Sequence, residues 1–499
     1  MTRRISVGQR KSLAELGLTA QGGRKAEITG LAVDSREVKD GFLFAALPGT
    51  RVHGGEFISY ALRMGAAAVL TDAEGARIAE AELAGSEAAL IVTEDPRQAL
   101  SYCAALWFGA QPETVVAVTG TNGKTSVASF TRQIWTALGF EAVSIGTTGV
   151  EGAYEVPLKH TTPEPITLHR VLAESDAAGV THAAMEASSH GLAQRRLDGV
   201  RIAAAGFTNL TQDHLDYHTD LDDYFNAKAG LFTRVLSEDG VAVINIDDPR
   251  GRDMAAVARS RGQEVLSVGR RDGADLHIIA RSFAPTGQVL RFQWHGRVGQ
   301  AELGLIGGFQ SENVLLAAGL AIGAGADPDQ VFDTLPRMET VRGRMQLAAR
   351  RVNGASVFVD YAHTPGAVET AIKALRPHVM GRLLVIVGAG GDRDRTKRPL
   401  MGQAAAEHAD LVIVTDDNPR SEDPAAIRAA VMLGCPEALE VGDRAEAILR
   451  GVDALGPGDA LLITGKGHET GQIVGDNIFP FDDSEQASVA VAALDGGLA

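Results

Sequence analysis

Cysteine, aromatic residues and long apolar runs are scarce in this chain of 499 residues, and each scarcity removes a class of protein. The two cysteines, Cys103 and Cys435, lie far apart without His or Cys neighbours at metal-ligand spacing, so neither a disulfide framework nor a zinc site is expected. No stretch approaches the roughly 18 uninterrupted apolar residues that a membrane span needs. The N-terminus, MTRRISVGQRKSLAELGL, is basic but has no apolar core of signal-peptide length, so a cytoplasmic protein without membrane insertion is expected. Positive charge is also short: 47 Lys and Arg face 63 Asp and Glu, a formal net charge of -16. Nucleic acid is therefore an unsuitable partner, and any anionic ligand must be met by a local basic cluster or by backbone amides.

Glycine, by contrast, is plentiful at 57 residues, and 45% of the chain is hydrophobic. Short apolar runs ending in Gly-rich turns and followed by amphipathic segments indicate α/β architecture with parallel sheets. The length exceeds one core, and three domains are expected. Residues 1–111 read as a small α/β domain with strands at Gly41–Leu47 and Ala67–Leu70. Residues 112–342 read as a P-loop-type α/β domain, with strands at Thr114–Val118, Thr181–Met185, Ala203–Phe207 and Val241–Ile246. Its helices are expected over Lys124–Leu138 and near Ser311–Ala324, the latter capped by Ser311. Residues 343–499 read as a Rossmann-like domain with strands at Ala355–Val359, Leu383–Val387, Leu411–Val414 and Ala460–Ile463. Ligands of such sheets sit beyond the carboxyl ends of the strands, which is where the polar motifs fall.

The strongest local signal is Thr119-Gly120-Thr121-Asn122-Gly123-Lys124-Thr125, between a strand and a helix. Backbone amides there can cradle phosphates, Lys124 can reach a transferred phosphate and Thr125 can ligate magnesium. The full P-loop pattern fails at Val118, where its first glycine would stand. Downstream, Glu186-Ala187-Ser188-Ser189-His190 and Asp213-His214-Leu215-Asp216-Tyr217-His218 each follow a strand. Glu186 and Thr125 suit magnesium, which prefers oxygen, whereas His214 would be a less usual ligand. Taken singly, Glu186 or His214 reads as an ordinary loop residue; beside the phosphate loop they read as part of a site. Arg393, Arg395, Lys397 and Arg398 crowd one turn, where a solvated charge run is the plain reading. The Asn418-Pro419 pair alone is a turn signal, but Arg420 after it offers a planar guanidinium suited to a carboxylate.

These segments, with Asp34-Ser35-Arg36, Thr161-Thr162-Pro163, Asp360-Tyr361-Ala362-His363-Thr364-Pro365 and Gly465-Lys466-Gly467-His468-Glu469, resemble in order the Mur ligase family, most closely its diaminopimelate-adding branch. The resemblance spans nearly the whole chain. It implies an ATP-dependent amide-bond ligase of peptidoglycan precursor synthesis that needs Mg2+. ATP would phosphorylate the D-glutamate carboxylate of UDP-N-acetylmuramoyl-L-alanyl-D-glutamate, and the amine of meso-diaminopimelate would attack the acyl phosphate. It implies a first domain for the uridine nucleotide, a second for ATP and a third for the amino acid. By motif, Gly120, Thr121, Asn122, Gly123, Lys124, Thr125, Asn313, Arg344 and Asp360 would meet ATP. Ser35, Thr161, Thr162, Ser188, Gln194 and Arg196 would hold the nucleotide substrate. Thr125, Glu186 and His214 would ligate magnesium, and Lys228 would be carbamylated; the residues alone read Lys228 as a surface helix lysine. Arg393, Asp417, Asn418, Pro419, Arg420, Gly465 and Glu469 would bind meso-diaminopimelate, with Arg420 on the distal carboxylate that lysine lacks. Two departures stand out: Thr50 to Phe57 lacks the usual Asp-Gly-His, and Gln346 replaces the usual Glu.

A monomer is expected. The competing readings are a lysine-adding Mur ligase, a folylpolyglutamate synthetase, and a P-loop transport or switch ATPase. The last would turn over ATP without an amino-acid requirement and leaves Asp360–Pro365 and Gly465–Glu469 without a role.

Overall fold

The apolar runs become strands buried on both faces, as a sheet covered by helices on each side requires. In the computed structural model, which describes residues 9–49, 52–211 and 217–496, all five residues of Leu383–Val387 are buried. Leu383, Val385 and Val387 join one apolar cluster and Leu384 and Ile386 another, the period-two division of a strand between two layers. The chain divides into two units, Met1–His277 with Leu315–Val331, and Ile278–Val314 with Phe332–Ala499.

The first unit holds a short antiparallel pair, Lys11–Ser12 with Glu27–Ile28, and two larger sheets. The N-terminal one is parallel, in the order Gly30–Ala32, Phe42–Ala45, Ala68–Thr71, Ala89–Val92. Helix Pro96–Phe108, capped by the Asp95 carboxylate, supplies Leu100, Cys103, Ala104 and Trp107 to one of its cores. In the second sheet, Glu264–Gly269, Val241–Asn245, Ala204–Phe207, Thr114–Thr119, His182–Glu186 and Ala142–Gly146 run parallel side by side, and Gly149–Gly152 closes the edge antiparallel. The strand of this sheet that comes first along the chain, Thr114–Thr119, lies in the interior, and the chain fills its two sides separately. Its carboxyl end is thus the switch point at which open α/β sheets bind ligands. Polar ties join the two sheets' domains: Arg195 Nε donates to Asp95 (2.8 Å), Gln98 to Asp198 (3.1 Å) and Gln111 to the Arg201 carbonyl (3.0 Å).

The second unit contains a six-stranded sheet ordered Gln346–Arg350, Ser356–Asp360, Ala460–Thr464, Leu383–Val387, Leu411–Val414, Leu439–Glu440; only the first pairing is antiparallel. This unit also contains two antiparallel hairpins outside the six-stranded sheet, Gly287–Trp294 with Arg297–Leu303 and Gly471–Val474 with Asn477–Pro480. The expected cap at Ser311 is corrected. The helix runs Phe309–Gly323, and Ser311 lies inside it, fully buried, its hydroxyl donating to Gln288 Oε1 at 2.8 Å. A buried amide oxygen is the partner the hydroxyl takes instead of the helix's own N–H groups.

Candidate active site

The phosphate loop is shaped by glycine and braced by its neighbour. Gly120 has φ +146°, and a Cβ there would lie 1.8 Å from Thr208 Oγ1. Gly123, at φ +87°, leads into helix Lys124–Ala137. Thr121 N donates to the Asn209 carbonyl (2.9 Å), Asn122 N to Asn209 Oδ1 (2.9 Å), and Thr208 Oγ1 to the Asn122 carbonyl (2.6 Å). Lys124 Nζ donates to the carbonyls of Gly120 (2.9 Å) and Thr121 (2.8 Å), and Thr125 follows in the first helical turn. A helix N-terminus bearing a lysine at such a loop attracts phosphate. Lys228 is not on the surface, which corrects that reading: it is only 1% exposed, donates to the Gly120 carbonyl at 2.8 Å and lies 4.2 Å from the Tyr224 ring centre. Helix Leu221–Gly230 turns Tyr224, Phe225 and Lys228 inward together.

Beside the loop, Glu186 ends its strand almost fully buried, and its Oε1 accepts from Thr147 N at 2.8 Å. Gly146 makes the room, since a Cβ there would lie 2.0 Å from that oxygen. Thr147 Oγ1 and Thr161 Oγ1 are 3.0 Å apart; Thr162 Oγ1 donates to the Glu186 carbonyl (2.8 Å) and accepts from Ser188 N (3.0 Å). Ser188 Oγ accepts from Gly191 N and caps Ser189–Ala193. Arg196 donates to the Thr162 carbonyl (2.5 Å) and Gln194 Oε1 (2.8 Å), and Gln194 donates to the Tyr217 hydroxyl (3.3 Å). Thr161, Thr162, Glu186, Ser188, Gln194 and Arg196 thus form one connected cluster. Thr147 and Tyr217 belong to it and were missed; small polar residues directly after Ala142–Gly146 were the available signal. Ser35 belongs instead to the carboxyl edge of the N-terminal sheet, opening Ser35–Glu37. On either side of it, hydrogen bonds from Arg36 hold the Asp34 carboxyl down at about 2.

His214 and Asp213 lie outside the described residues. Among the described residues, no three His, Cys, Asp or Glu gather as a metal cage. The donors at hand, the Glu186 carboxylate and the Thr125 hydroxyl, suit magnesium, which is commonly held by one or two carboxylates, waters and substrate phosphates.

In the second unit Asp360 ends its strand with both oxygens engaged, Oδ2 by Met345 N (2.8 Å) and Oδ1 by Ala362 N (2.9 Å). Burial pushes its carboxyl up while the Arg344 charge opposes that. The Arg344 guanidinium stacks 4.8 Å from the Tyr361 ring centre. Gln346 Oε1 accepts from Gly343 N at 2.8 Å. Asn313 is buried in its helix, donating to Gln310 Oε1 (3.0 Å).

The ends of three strands of this sheet meet around Asn418. Asn418 Oδ1 accepts from Lys466 Nζ (3.1 Å) and Ile473 N (2.9 Å), while its Nδ2 donates to Glu469 Oε2 (2.8 Å). Arg420, at φ +52°, donates from its backbone to the Ile473 carbonyl (3.0 Å) and from its guanidinium to the Gly391 carbonyl (2.8 Å). Asp417 is buried against Gly465, where a Cβ would lie 2.2 Å from Asp417 Oδ2. Beneath them Arg444 and Asp483, both fully buried, pair at 2.7 Å, and Arg444 also donates to the carbonyls of Thr464 (2.9 Å) and Asp416 (3.3 Å). This pair was missed because nothing local in sequence marks it. The basic run is divided: Arg393 and Arg395 are exposed, but Arg398 is buried and paired with Glu422 at 2.8 Å.

A phosphate-type loop at a switch point with a buried carboxylate beside it, and a second α/β sheet whose strand ends carry a cluster of charged side chains, define an α/β protein of two dissimilar nucleotide-binding-type sheets. The family models agree: "Mur ligase family, catalytic domain" matches residues 27–107, "Mur ligase middle domain" 118–321, and "Mur ligase, glutamate ligase domain" 343–467. The chain belongs to the Mur ligase family. It is 49% identical over 471 residues, 94% of this chain and 95% of the relative, to the UDP-N-acetylmuramoyl-L-alanyl-D-glutamate–2,6-diaminopimelate ligase of Bradyrhizobium diazoefficiens. The ligase of the same name from Caulobacter vibrioides is 48% identical over 475 residues, 94% of this chain and 96% of its own. A solved structure of a ligase so named superposes with a TM-score of 0.73 at 34% identity, covering 97% of this chain and 99% of that one.

Proposed function

We propose that this chain joins meso-diaminopimelate to the D-glutamate side-chain carboxylate of UDP-N-acetylmuramoyl-L-alanyl-D-glutamate at the expense of ATP, in peptidoglycan precursor synthesis. The observation that carries this reading is the grouping of Asn418, Arg420 and Glu469 at the strand ends: the Asn418 amide bonds the Glu469 carboxylate and Ile473 N, and the Arg420 guanidinium is held on the Gly391 carbonyl. Together they complement a molecule that carries an amino group and a carboxylate at its far end. The relatives' names supply the same substrate.

In this reading residues 1–111 hold the uridine nucleotide, with Ser35 at its diphosphate or uracil, 112–342 hold ATP, and 343–499 hold the amino acid. Asn313, Arg344 and Asp360 contact ATP; Arg393, Asp417, Pro419 and Gly465 complete the amino-acid site. Thr161, Thr162, Ser188, Gln194 and Arg196 align the muramoyl dipeptide so that its carboxylate meets the phosphoryl group. A carboxylate resists amine attack until one oxygen becomes a leaving group, so its oxygen takes the phosphoryl group from ATP, releasing ADP. The amine then adds to the acyl carbon, loses a proton, and expels inorganic phosphate. Lys124 and the loop amides neutralise the charge that moves between phosphates. Glu186, Thr125 and His214 would hold magnesium, which would screen the phosphate oxygens. Lys228, buried beside the loop, is the residue read as carbamylated; partial rescue of Lys228→Ala by a small carboxylic acid would support this, and failure at every concentration would count against it. The enzyme is read as a cytoplasmic monomer; no helix among the described residues is long and apolar enough to cross a membrane.

The test is phosphate release with ATP, magnesium and the nucleotide substrate, comparing meso-diaminopimelate, L-lysine and no amino acid, with the product mass checked. Turnover with meso-diaminopimelate alone is expected. Turnover with lysine would keep the ligase and overturn the selectivity, and release indifferent to either amino acid would point to an ATPase.

A further inference from the structure

Lys466 stands in the amino-acid pocket without a role in the reaction described above. Its side chain is fully buried, an environment lysine enters only when its donors are matched. Here they are matched one for one: Nζ donates to Asn418 Oδ1 (3.1 Å), Glu469 Oε2 (3.2 Å) and the Gly471 carbonyl (2.5 Å). Three acceptors saturate the three N–H groups of an ammonium.

The consequence falls on Asn418. Its Oδ1 receives two groups that can only donate, Lys466 Nζ and Ile473 N, so the amide cannot turn over without facing two donors with an NH2. Nδ2 is therefore fixed as the donor; one of its hydrogens goes to Glu469 Oε2 at 2.8 Å and one remains. Glu469 in turn has Oε2 committed to Lys466 and Asn418, leaving Oε1 as acceptor. Lys466, Asn418 and Glu469 form a closed triangle, pinned to the hairpin strand Gly471–Val474 through the Gly471 carbonyl and Ile473 N.

We propose that Lys466 is the positioning residue that sets the polarity of this pocket. By locking Asn418 as a donor and Glu469 as an acceptor, it lets the site read a carboxylate and an ammonium at the far end of the amino-acid substrate. The inference rests on the proposed ligase reading.

Its test is steady-state phosphate release by the full chain, with wild type, Lys466→Met, Asn418→Ala and the double variant, varying each of the three substrates. Loss of a charge-assisted hydrogen bond predicts at least about a 10-fold rise in KM for meso-diaminopimelate for Lys466→Met, with KM for ATP and for the nucleotide substrate essentially unchanged. Because Lys466 acts through Asn418, the double variant should be little worse than Asn418→Ala, whereas a merely structural role gives additive losses. An unchanged KM for meso-diaminopimelate, additivity, or equal losses for all three substrates overturns the proposal. Should Lys466→Met not fold, Lys466→Arg decides: a folded protein with raised KM for meso-diaminopimelate alone supports it, and wild-type KM or failure to fold overturns it. Wild-type protein inert toward meso-diaminopimelate would sink the ligase reading and this inference with it. An active wild type whose Lys466→Met variant keeps its KM sinks only the inference.

Discussion

The loop around Lys124 is held through its own backbone N–H and C=O groups, which neighbouring backbone and side chains engage, whereas the loops around Asn418 are held through their own side chains, which tie separate strand ends together. Gly120 and Gly123 adopt positive φ, and loop N–H and C=O groups bond to the segment after the adjacent strand. Around Asn418, by contrast, Lys466, Glu469, Arg444 and Asp483 define the geometry. Backbone amides suit a phosphate, the same group whatever is being ligated, and they cannot be changed by substitution. Side chains suit the part of the reaction in which the substrate differs between relatives. Catalysis and selectivity should therefore separate when each region is perturbed.

The largest effect is expected at Lys124. Lys124→Ala removes the cation proposed to face the transferred phosphate and should lower kcat by about 10³-fold or more, for meso-diaminopimelate and any slow alternative amino acid alike. A kcat loss that depended on the amino acid would break the division. Arg420→Ala should do the reverse: it leaves a distal carboxylate unpaired and should cost about 10- to 100-fold in kcat/KM for meso-diaminopimelate, while KM for ATP stays at the wild-type value. A matched pair of glycine variants gives a smaller effect. Gly120→Ala places a Cβ 1.8 Å from Thr208 Oγ1, and Gly465→Ala places one 2.2 Å from Asp417 Oδ2, both at positive φ. Each should cost on the order of 1–3 kcal/mol of strain, read as a raised KM for ATP in the first and for meso-diaminopimelate in the second. Crossed effects would show that the two regions are coupled.

The same contrast explains what the sequence made legible. Thr114–Thr119 and the loop after it are contiguous, so apolar run, glycines and lysine could be read together, and the strands Leu383–Val387 and Leu411–Val414 fall where their apolar runs lie. The amino-acid pocket was legible only where its pieces are short motifs, at Asn418 to Arg420 and Gly465 to Glu469. Arg444 and Asp483 are 39 residues apart and meet only through the fold. Lys228 misleads for a related reason: a lysine amid Tyr224, Phe225, Asn226 and Ala227 carries no local sign that its face turns inward. Ser311 misleads because helix propensity places a serine at a cap, while the buried Gln288 that claims its hydroxyl comes from a hairpin not marked by clear alternation.

The smallest effect concerns stability, and it asks whether the helix after Thr161 and Thr162 is secured by burial as firmly as the Asn418 region is by ion pairs. His169, on helix Pro165–Ala177 just after Thr161 and Thr162, is 3% exposed, and its Nε2 lies 3.4 Å from the Asp198 carbonyl, so the neutral ring is the donor there. Burial lowers its pKa from 6.5 to about 4, partly offset by that hydrogen bond. A depressed histidine pKa means the unfolded state binds the proton more readily. The stabilising contribution is therefore complete above pH 6.5 and is lost as pH falls toward about 4. It amounts to something on the order of 3 kcal/mol at most. His378 in the second unit is depressed by burial too, so acid sensitivity is shared. His169→Gln, which keeps an N–H donor without titrating, should flatten the fall of Tm between pH 6.5 and 4.5, and hydrogen exchange should show the gain concentrated in Pro165–Ala177. A Tm profile parallel to wild type would mean that this helix does not hold a neutral histidine.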